Sequence, residues 1–304
     1  MRSYKYLLGM VRNAASFALA RNVDAQSIKA VDTNAIRVEW NDFVRAVGET
    51  VSAFGNKDND QILAYFGNGV FNYGSAFEDT WSTLQKFVNQ TRHSVRTPLL
   101  TVLLEGAVAS GKTAIAAKLA AESDFPFVRM ITPDNMIGHS DSTRCGTLLK
   151  VFMDSYKSPM SIIFINDIER IIEYTPVGQR FSNSVLQTLL ILLKKVPPSP
   201  CRLLVVATTS ISHLLEDLQL TQAFNHVSHV SLIQNAKEYK AILTEYGDGL
   251  SASTIDSVSK ALNEKPIAIK ELLMILEMVR AENINNLSAI TADDFLACAQ
   301  QVGF

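Results

Sequence analysis

One run of residues has the types and spacing of a phosphate-binding loop (P-loop). Residues 106–113 read G-A-V-A-S-G-K-T and match the pattern G-x-x-x-x-G-K-[ST] completely. In this pattern the glycines let backbone N–H groups curl around phosphates, the lysine reaches the β and γ oxygens, and the last hydroxyl ligates magnesium. The run therefore predicts ATP and Mg²⁺ binding, with these nucleotide-binding residues: Gly106, Ala107, Val108, Ala109, Ser110, Gly111, Lys112, Thr113 and Ala114.

A second motif bears on hydrolysis, which normally needs one carboxylate to hold magnesium and another to orient the attacking water. The apolar run I-I-F-I ends in Asn166 and Asp167, so a neutral amide stands in the metal-holding place and a short aspartate in the place of the usual glutamate. We take Thr113 and Asn166 as the metal-site residues and Asn166 and Asp167 as catalytic candidates, with weak magnesium affinity and turnover. Glu169 could substitute only if the strand end is shifted, and we assign it to the solvated surface.

Two further positions could reach the phosphates. The run A-T-T-S places Ser210 or Thr209 where a polar side chain could touch the γ-phosphate or the water, although turn hydroxyls are common there. We take Ser210 as a catalytic candidate, and no arginine for an in-trans finger follows it through His226. Lys270 opens a helix and could fold back onto the phosphates, although a helical lysine usually faces solvent.

The elements around these residues alternate between strands and helices. Continuous apolar runs at 99–104, 127–131, 161–165 and 203–207, separated by helical patterns, predict a parallel sheet covered on both faces. This is an α/β nucleotide-binding architecture, with an apolar strand before the P-loop and an Ala-rich helix after it.

Helical spacing predicts the remaining segments. Helices are expected over Leu7–Ala20, Trp40–Val51 and Glu78–Arg92, then over Lys237–Tyr246, Thr254–Leu262, Ile267–Arg280 and Thr291–Val302 in a small all-helical lid. The stretch from Phe54 to Ser75 has the composition of loops and turns. We predict three parts: a helical segment with a linker at 1–54, the α/β core at 55–233 and the lid at 234–304. The first part looks like the remnant of a preceding domain, or it is only an N-terminal extension.

Composition narrows the class of protein. A formal net charge of -2 over 304 residues gives no global field for nucleic acid or a membrane surface. The three cysteines are far apart and without metal-ligand spacing, which indicates reduced and buried thiols. No apolar run approaches the length of a membrane span, so we expect a cytoplasmic protein that binds no nucleic acid and reaches membranes only through partners.

The chain resembles a known family, the AAA ATPases, and within them the second (C-terminal) module of the vesicle-fusing ATPases, the N-ethylmaleimide-sensitive factor family. The matching stretches include R-T-P-L-L-T-V-L-L-E-G, D-I-E-R, R-F-S-N-S-V-L-Q, L-L-K-K-V-P-P and I-K-E-L-L-M-I-L-E-M. They run in order through residues 54–282. In addition, M-V-R-N-A-A-S-F-A-L-A-R looks like the last lid helix of that family's first module.

The resemblance implies a homo-hexameric ring that disassembles SNARE complexes through SNAP adaptors, with ATP in the second module supporting hexamer formation and little hydrolysis there. It implies that Lys270 senses the γ-phosphate and that Lys194 lies near a neighbouring subunit's nucleotide. The backbone of Asn68, Gly69, Val70 and Phe71 would line adenine. The family has D-D-I-E-R where this chain has N-D-I-E-R, which further weakens the expectation of hydrolysis.

Two other hypotheses stay open on the sequence. The chain could be an active AAA unfoldase-type motor in which Asp167 and Glu169 share the catalytic duty. Alternatively, it could be a truncated scaffold that binds no nucleotide and keeps only its interaction surfaces. Titration with ATP separates the last hypothesis from the others.

Overall fold

The computed structural model describes residues 11–20, 37–49, 59–67, 69–94, 96–178, 180–247, 250–283 and 290–303. The chain divides into two compact units, Met1–Asp58 and Asn59–Phe304. The division into 1–54, 55–233 and 234–304 stays a prediction.

The first unit contains two described helices, α1 over residues 11–20 and α2 over Trp40–Glu49. Their fully buried side chains are small: Ala14, Ala18 and Ala46. Both predicted helices are confirmed within these bounds. Residues 7–10 and 50–51, at the ends of the two predictions, and the polar stretch 22–34 lie outside the described residues.

The second unit is built on a parallel sheet with the strand order β2-β3-β4-β1-β5. The strands are β1 Leu99–Glu105, β2 Phe127–Ile131, β3 Met160–Ile165, β4 Arg202–Thr209 and β5 His226–His229. The three inner strands are buried almost throughout, as expected for a parallel sheet flanked by helices. Four strands were predicted and are confirmed. The sequence H-V-S-H of β5 contains a single aliphatic residue, so no apolar run signalled this edge strand.

The register of the inner strands brings three loops to one edge of the sheet. Glu105, the last residue of β1, pairs with Thr209, the last residue of β4. Ile165, the last residue of β3, pairs with Ala207 of β4. The segments that begin at Gly106, Asn166 and Ser210 therefore leave the sheet side by side, at the carboxyl edge where α/β proteins bind ligands.

Helices occupy the connections between the strands and the segment before them. They are α3 Asn59–Tyr65, α4 Ser75–His93, α5 Lys112–Glu122, α6 Asp141–Ser155, α7 Ile168–Ile171, α8 Asn183–Lys194 and α9 Ser212–Asp217. The predicted helix at Glu78–Arg92 lies within α4 and is confirmed. No helix in the described ranges is long and apolar enough to cross a membrane.

The prediction of loop and turns from Phe54 to Ser75 was wrong over α3. The helix packs against α5, and Ile62 within it is 1% exposed. Burial of one apolar face therefore stabilises this helix, although the Gly- and Asn-rich residues on its C-terminal side favour loops.

Four helices form the lid: α10 Ala236–Tyr246, α11 Ala252–Ala261, α12 Ile269–Glu282 and α13 Ala292–Val302. All four were predicted, with ends that differ by one or two residues. At the start of α13, Thr291 Oγ1 accepts a hydrogen bond from the Asp294 backbone N–H at 3.3 Å. The Asp294 carboxylate accepts in return from the Thr291 N–H at 2.9 Å, which completes the capping box.

All three cysteines are free thiols, as expected. The expectation that they are buried holds only for Cys298, because Cys145 and Cys201 are half-buried. Cys201 Sγ donates to the Tyr156 carbonyl oxygen at 3.1 Å, so its polar hydrogen has a partner near the surface.

Candidate functional site

The P-loop joins β1 to α5 through backbone conformations that few side chains adopt. Gly106 has φ 154°, and a Cβ there would lie 2.4 Å from the Val230 carbonyl oxygen. Gly111 has φ 95° and lies immediately before the first residue of α5. The two glycines that the motif requires are therefore also required by the local geometry of this chain.

The Lys112 ammonium lies at the centre of this loop. It donates to the carbonyl oxygens of Gly106 and Ala107 at 3.0 and 2.6 Å and lies 3.4 Å from Ser110 Oγ. The residue is only 4% exposed. The loop therefore holds one buried positive charge at the start of α5, whose N-terminus also favours anions.

A cavity of about 440 Å³, which we call the phosphate cavity, opens in front of the loop. Its charged wall comprises Lys112, Arg170 and Lys270 against Asp167 and Glu169. Burial lowers the pKa of Lys112 below its ordinary value, whereas the two carboxylates act in the opposite direction. Arg170 was missed by sequence reasoning, although it is the last residue of the quoted D-I-E-R run. Three cationic groups against two carboxylates suit an anionic ligand.

Asn166 connects the P-loop to the ends of β3 and β4. Its Oδ1 accepts from Thr113 Oγ1 at 2.8 Å and from Thr208 Oγ1 at 3.1 Å. Its Nδ2 donates to Asp167 Oδ2 at 3.1 Å. The structure thus brings the predicted residues Thr113, Asn166 and Asp167 into one hydrogen-bonded chain, in which the amide supplies a donor that a carboxylate could not supply.

Glu169 is buried, and its assignment to the solvated surface was wrong. Asp167 adopts a left-handed conformation with φ 48° before the single turn of α7, and Glu169 in that turn is 6% exposed. Glu169 Oε1 accepts from the Ser210 backbone N–H at 3.0 Å. Glu169 Oε2 is buried without a hydrogen-bond partner among the described residues. The tight turn after β3 therefore directs this side chain toward the end of β4 rather than toward water.

The two hydroxyl candidates at the end of β4, Thr209 and Ser210, lie in different places. Ser210 lines the phosphate cavity. Thr209 is fully buried, and its Oγ1 accepts from the Ile211 backbone N–H at 3.1 Å. Ser210 is therefore the hydroxyl residue of this pair that faces the cavity.

A second cavity of about 210 Å³, which we call the apolar cavity, adjoins the first through Gly111 and Lys270. The predicted residues Gly69, Val70 and Phe71 line it, together with Ala114 and Ser110. Asn68 lies outside the described residues. Side chains that sequence reasoning missed complete the wall: Tyr65, Phe66, Tyr73, Phe77, Ile269 and Leu273. Tyr65 belongs to α3 and Phe66 follows it, in the stretch that was interpreted as loop. The aromatic composition of that stretch was the signal that could have indicated a binding cavity.

Two predicted lysines lie in different surroundings. Lys270 lines both cavities, and its backbone N–H donates to the Ala109 carbonyl oxygen at 3.3 Å, which brings the start of α12 onto the P-loop. Lys194 is exposed at the end of α8 and lines a separate shallow groove with Ile191 and Gln219. Of the predicted residues that the structure describes, Lys194 is the one that lies away from the P-loop.

The polar groups next to the P-loop suit a magnesium ion that takes most of its ligands from water and phosphates. The Thr113 hydroxyl donates its hydrogen to Asn166, which leaves its oxygen lone pairs able to ligate a cation. In the described parts of the chain, no group of three or more His, Cys, Asp or Glu side chains could hold a metal ion.

The family model that matches this chain agrees with the known proteins that are similar to it. Residues 102–232 match the model of the ATPase family associated with various cellular activities (AAA). The chain is 42% identical to a vesicle-fusing ATPase of Dictyostelium discoideum over 296 residues, which cover 96% of this chain and 39% of the relative. It is 39% identical to a vesicle-fusing ATPase of Arabidopsis thaliana, covering 94% of this chain and 38% of the relative. It is 31% identical to the vesicular-fusion protein SEC18 of Saccharomyces cerevisiae, covering 90% and 37%. The chain thus spans about two fifths of the length of these relatives.

Proposed function

We propose that this chain, whose residues 102–232 match the AAA ATPase family model, binds ATP with its triphosphate in the phosphate cavity and its adenine in the apolar cavity. The observation that carries the proposal is the buried Lys112 ammonium within a loop whose glycines are required by its geometry. The adjoining aromatic cavity has the walls that a flat heteroaromatic ring needs.

Each group of the chain has a role in this proposal. The backbone N–H groups of residues 107–114 would donate to phosphate oxygens, and Lys112 would exchange its loop acceptors for them. Lys270 would approach from the lid, and the Gly69–Phe71 backbone would line adenine. Thr113, with Asn166 behind it, would hold magnesium, whose charge offsets that of the phosphates.

We propose that hydrolysis at this site is weak. Asp167 would orient the attacking water, with Ser210 as a polar contact at the same end of the cavity. However, Asn166 contributes no charge beside the metal position, and its amide already donates to Asp167 Oδ2. An aspartate is also one methylene shorter than the usual glutamate, so its reach toward the water is reduced.

The names of the relatives support a further proposal for the protein as a whole. Vesicle-fusing ATPases and a vesicular-fusion protein match this chain over most of its length. We propose that ATP binding supports a homo-hexamer, which acts in the cytoplasm on SNARE complexes through SNAP adaptors. The exposed side chains of Lys194, Ile191 and Val196, the last two 64% and 61% exposed, fit a surface that meets a neighbouring subunit's nucleotide site.

One observation favours a second candidate, an active AAA unfoldase-type motor. Glu169 adds a buried carboxylate to the phosphate cavity, with one oxygen that has no partner among the described residues. In that case Asp167 and Glu169 together would replace the charge that Asn166 lacks. Turnover that is fast and insensitive to substitution at Asn166 would support this candidate.

Mass measurement by light scattering, with and without ATP, tests the proposed assembly. We expect an ATP-dependent hexamer with phosphate release near background. Lys112→Ala should abolish the mass change by preventing binding, and Lys194→Ala should weaken it while leaving ATP binding intact. Lys86→Ala, on the exposed face of α4, is the matched control. A monomer whose mass ignores ATP would contradict the proposed assembly.

A further inference from the structure

Glu169 is a buried carboxylate that is only half satisfied. Its Oε1 holds the Ser210 N–H at 3.0 Å, whereas its Oε2 has no hydrogen-bond partner among the described residues. The side chain lines the phosphate cavity and is 6% exposed. A buried charged oxygen without a donor is costly, so a donor from outside the chain is expected there.

The nearby cations do not provide this donor. Lys112 Nζ donates to acceptors of its own loop. Arg170 and Lys270 line the same cavity, but both side chains are exposed. Phosphate oxygens are acceptors and carry negative charge, so they cannot satisfy a carboxylate directly. Water is therefore the donor that suits this position, and bound magnesium usually keeps several waters.

The charge balance of the cavity points the same way. Asn166 is neutral, and its amide donates to Asp167 Oδ2, which partly satisfies that carboxylate. Asp167 is also more exposed than Glu169. Among the described residues that line the phosphate cavity, Glu169 therefore carries the most deeply buried negative charge.

We propose that Glu169 is a positioning residue that accepts a hydrogen bond from a water of the magnesium–nucleotide complex and adds a negative charge on the side of the cavity next to Ser210. Its other oxygen accepts a hydrogen bond from the Ser210 N–H. Binding of the magnesium–nucleotide complex is therefore linked to the residues at the end of β4. This inference rests on the proposed binding of ATP. It gives Glu169, which lies outside the G-x-x-x-x-G-K-[ST] pattern, a role in the magnesium dependence of ATP binding that is separate from a catalytic duty.

The test is the ratio of the ATP dissociation constant in EDTA to that in excess Mg²⁺, measured by calorimetry on the full chain. Glu169→Gln keeps the shape and an oxygen for the Ser210 N–H but removes the charge. We expect it to lower the ratio roughly tenfold, the size of one charge-assisted hydrogen bond. Glu169→Asp keeps the charge but is one methylene shorter, so its ratio should fall less than that of Glu169→Gln. The matched control is Glu216→Gln, on the exposed surface of α9.

The outcomes are distinct. A Glu169→Gln protein that melts like the wild type and keeps its magnesium ratio would overturn the inference and leave Glu169 as a structural brace, with ATP binding intact. If Glu169→Gln does not fold, a ratio for Glu169→Asp equal to that of the wild type would overturn it, because the shorter side chain should hold the water less well. A wild-type chain that binds no ATP would overturn the proposed function, and this inference with it.

Discussion

Replacing Asn166 by aspartate should make the stability of the fold depend on magnesium. Asn166 is 6% exposed and accepts from two hydroxyls, those of Thr113 and Thr208. Its Nδ2 lies 3.1 Å from Asp167 Oδ2. In Asn166→Asp this donor becomes a carboxylate oxygen, so a hydrogen bond is replaced by a contact between two negative charges.

The magnitude follows from these contacts. Losing a hydrogen bond to a charged acceptor costs about 1.5–3 kcal/mol. Repulsion between carboxylates at about 4 Å adds roughly 4 kcal/mol at an effective dielectric constant of 20, and less because Asp167 is half-exposed. The two hydroxyl donors gain about 1 kcal/mol each from the new charge. We therefore expect the free energy of unfolding to fall by about 2–4 kcal/mol without magnesium.

Magnesium and nucleotide should offset part of this loss. A second carboxylate beside Thr113 should tighten binding of the magnesium complex at least tenfold, which adds about 1.4 kcal/mol of ligand-linked stability. The phosphate release rate should rise by a similar factor, because the metal position regains its charge.

Urea unfolding in EDTA and in Mg²⁺ with a non-hydrolysable ATP analogue measures both effects, and a phosphate release assay measures the rate. Asn135→Asp, an exposed amide, is the control and should change stability by less than about 0.5 kcal/mol. Equal stability of Asn166→Asp and wild type in EDTA would refute the reasoning about the amide donor. An unchanged release rate would refute the role given to its missing charge.

Three further predictions concern the P-loop and its neighbours. Burial lowers the pKa of Lys112 below its ordinary value of 10.5. ATP affinity, measured by calorimetry, should therefore begin to fall at a lower alkaline pH than the pH at which an ordinary lysine loses its proton. Lys112→Arg should remove this pH dependence, because arginine stays charged. Gly106→Ala should lower the free energy of unfolding in urea by about 2–4 kcal/mol, because its Cβ would meet the Val230 carbonyl oxygen. Gly146→Ala, which has open space around it in α6, should raise the free energy of unfolding by about 0.5–1 kcal/mol. Thr291→Ala should lower the free energy of unfolding by about 1 kcal/mol through loss of the α13 cap, and an unchanged value would contradict that cap.

Local signals were sufficient for the P-loop and for most of the sheet. The spacing of Gly106, Gly111 and Lys112 is set by the backbone of a single loop, so it can be read without knowing the rest of the fold. Four strands are largely apolar because helices flank the sheet, although β2 carries Arg129. The edge strand β5 has one buried face at most and carries H-V-S-H, so its strand character comes from pairing with β1 rather than from its own composition.

The errors concern residues whose surroundings come from distant parts of the chain. Glu169 looks like an ordinary surface charge in D-I-E-R, and its burial depends on the left-handed turn at Asp167 and on the Ser210 N–H, 41 residues away. The helix α3 has few helix-favouring signals on its C-terminal side, and it is stabilised by packing against α5. Composition and periodicity describe neighbouring residues in the sequence, so they do not predict contacts between distant parts of the chain.

Calorimetric titration of the chain with ATP and Mg²⁺ tests the central claim, ATP binding at the P-loop, most directly. We expect saturable binding of one ATP per chain, lost in Lys112→Ala while that variant keeps its fold by circular dichroism. Absence of any heat of binding to the folded wild-type chain, or equal binding to Lys112→Ala, would contradict it.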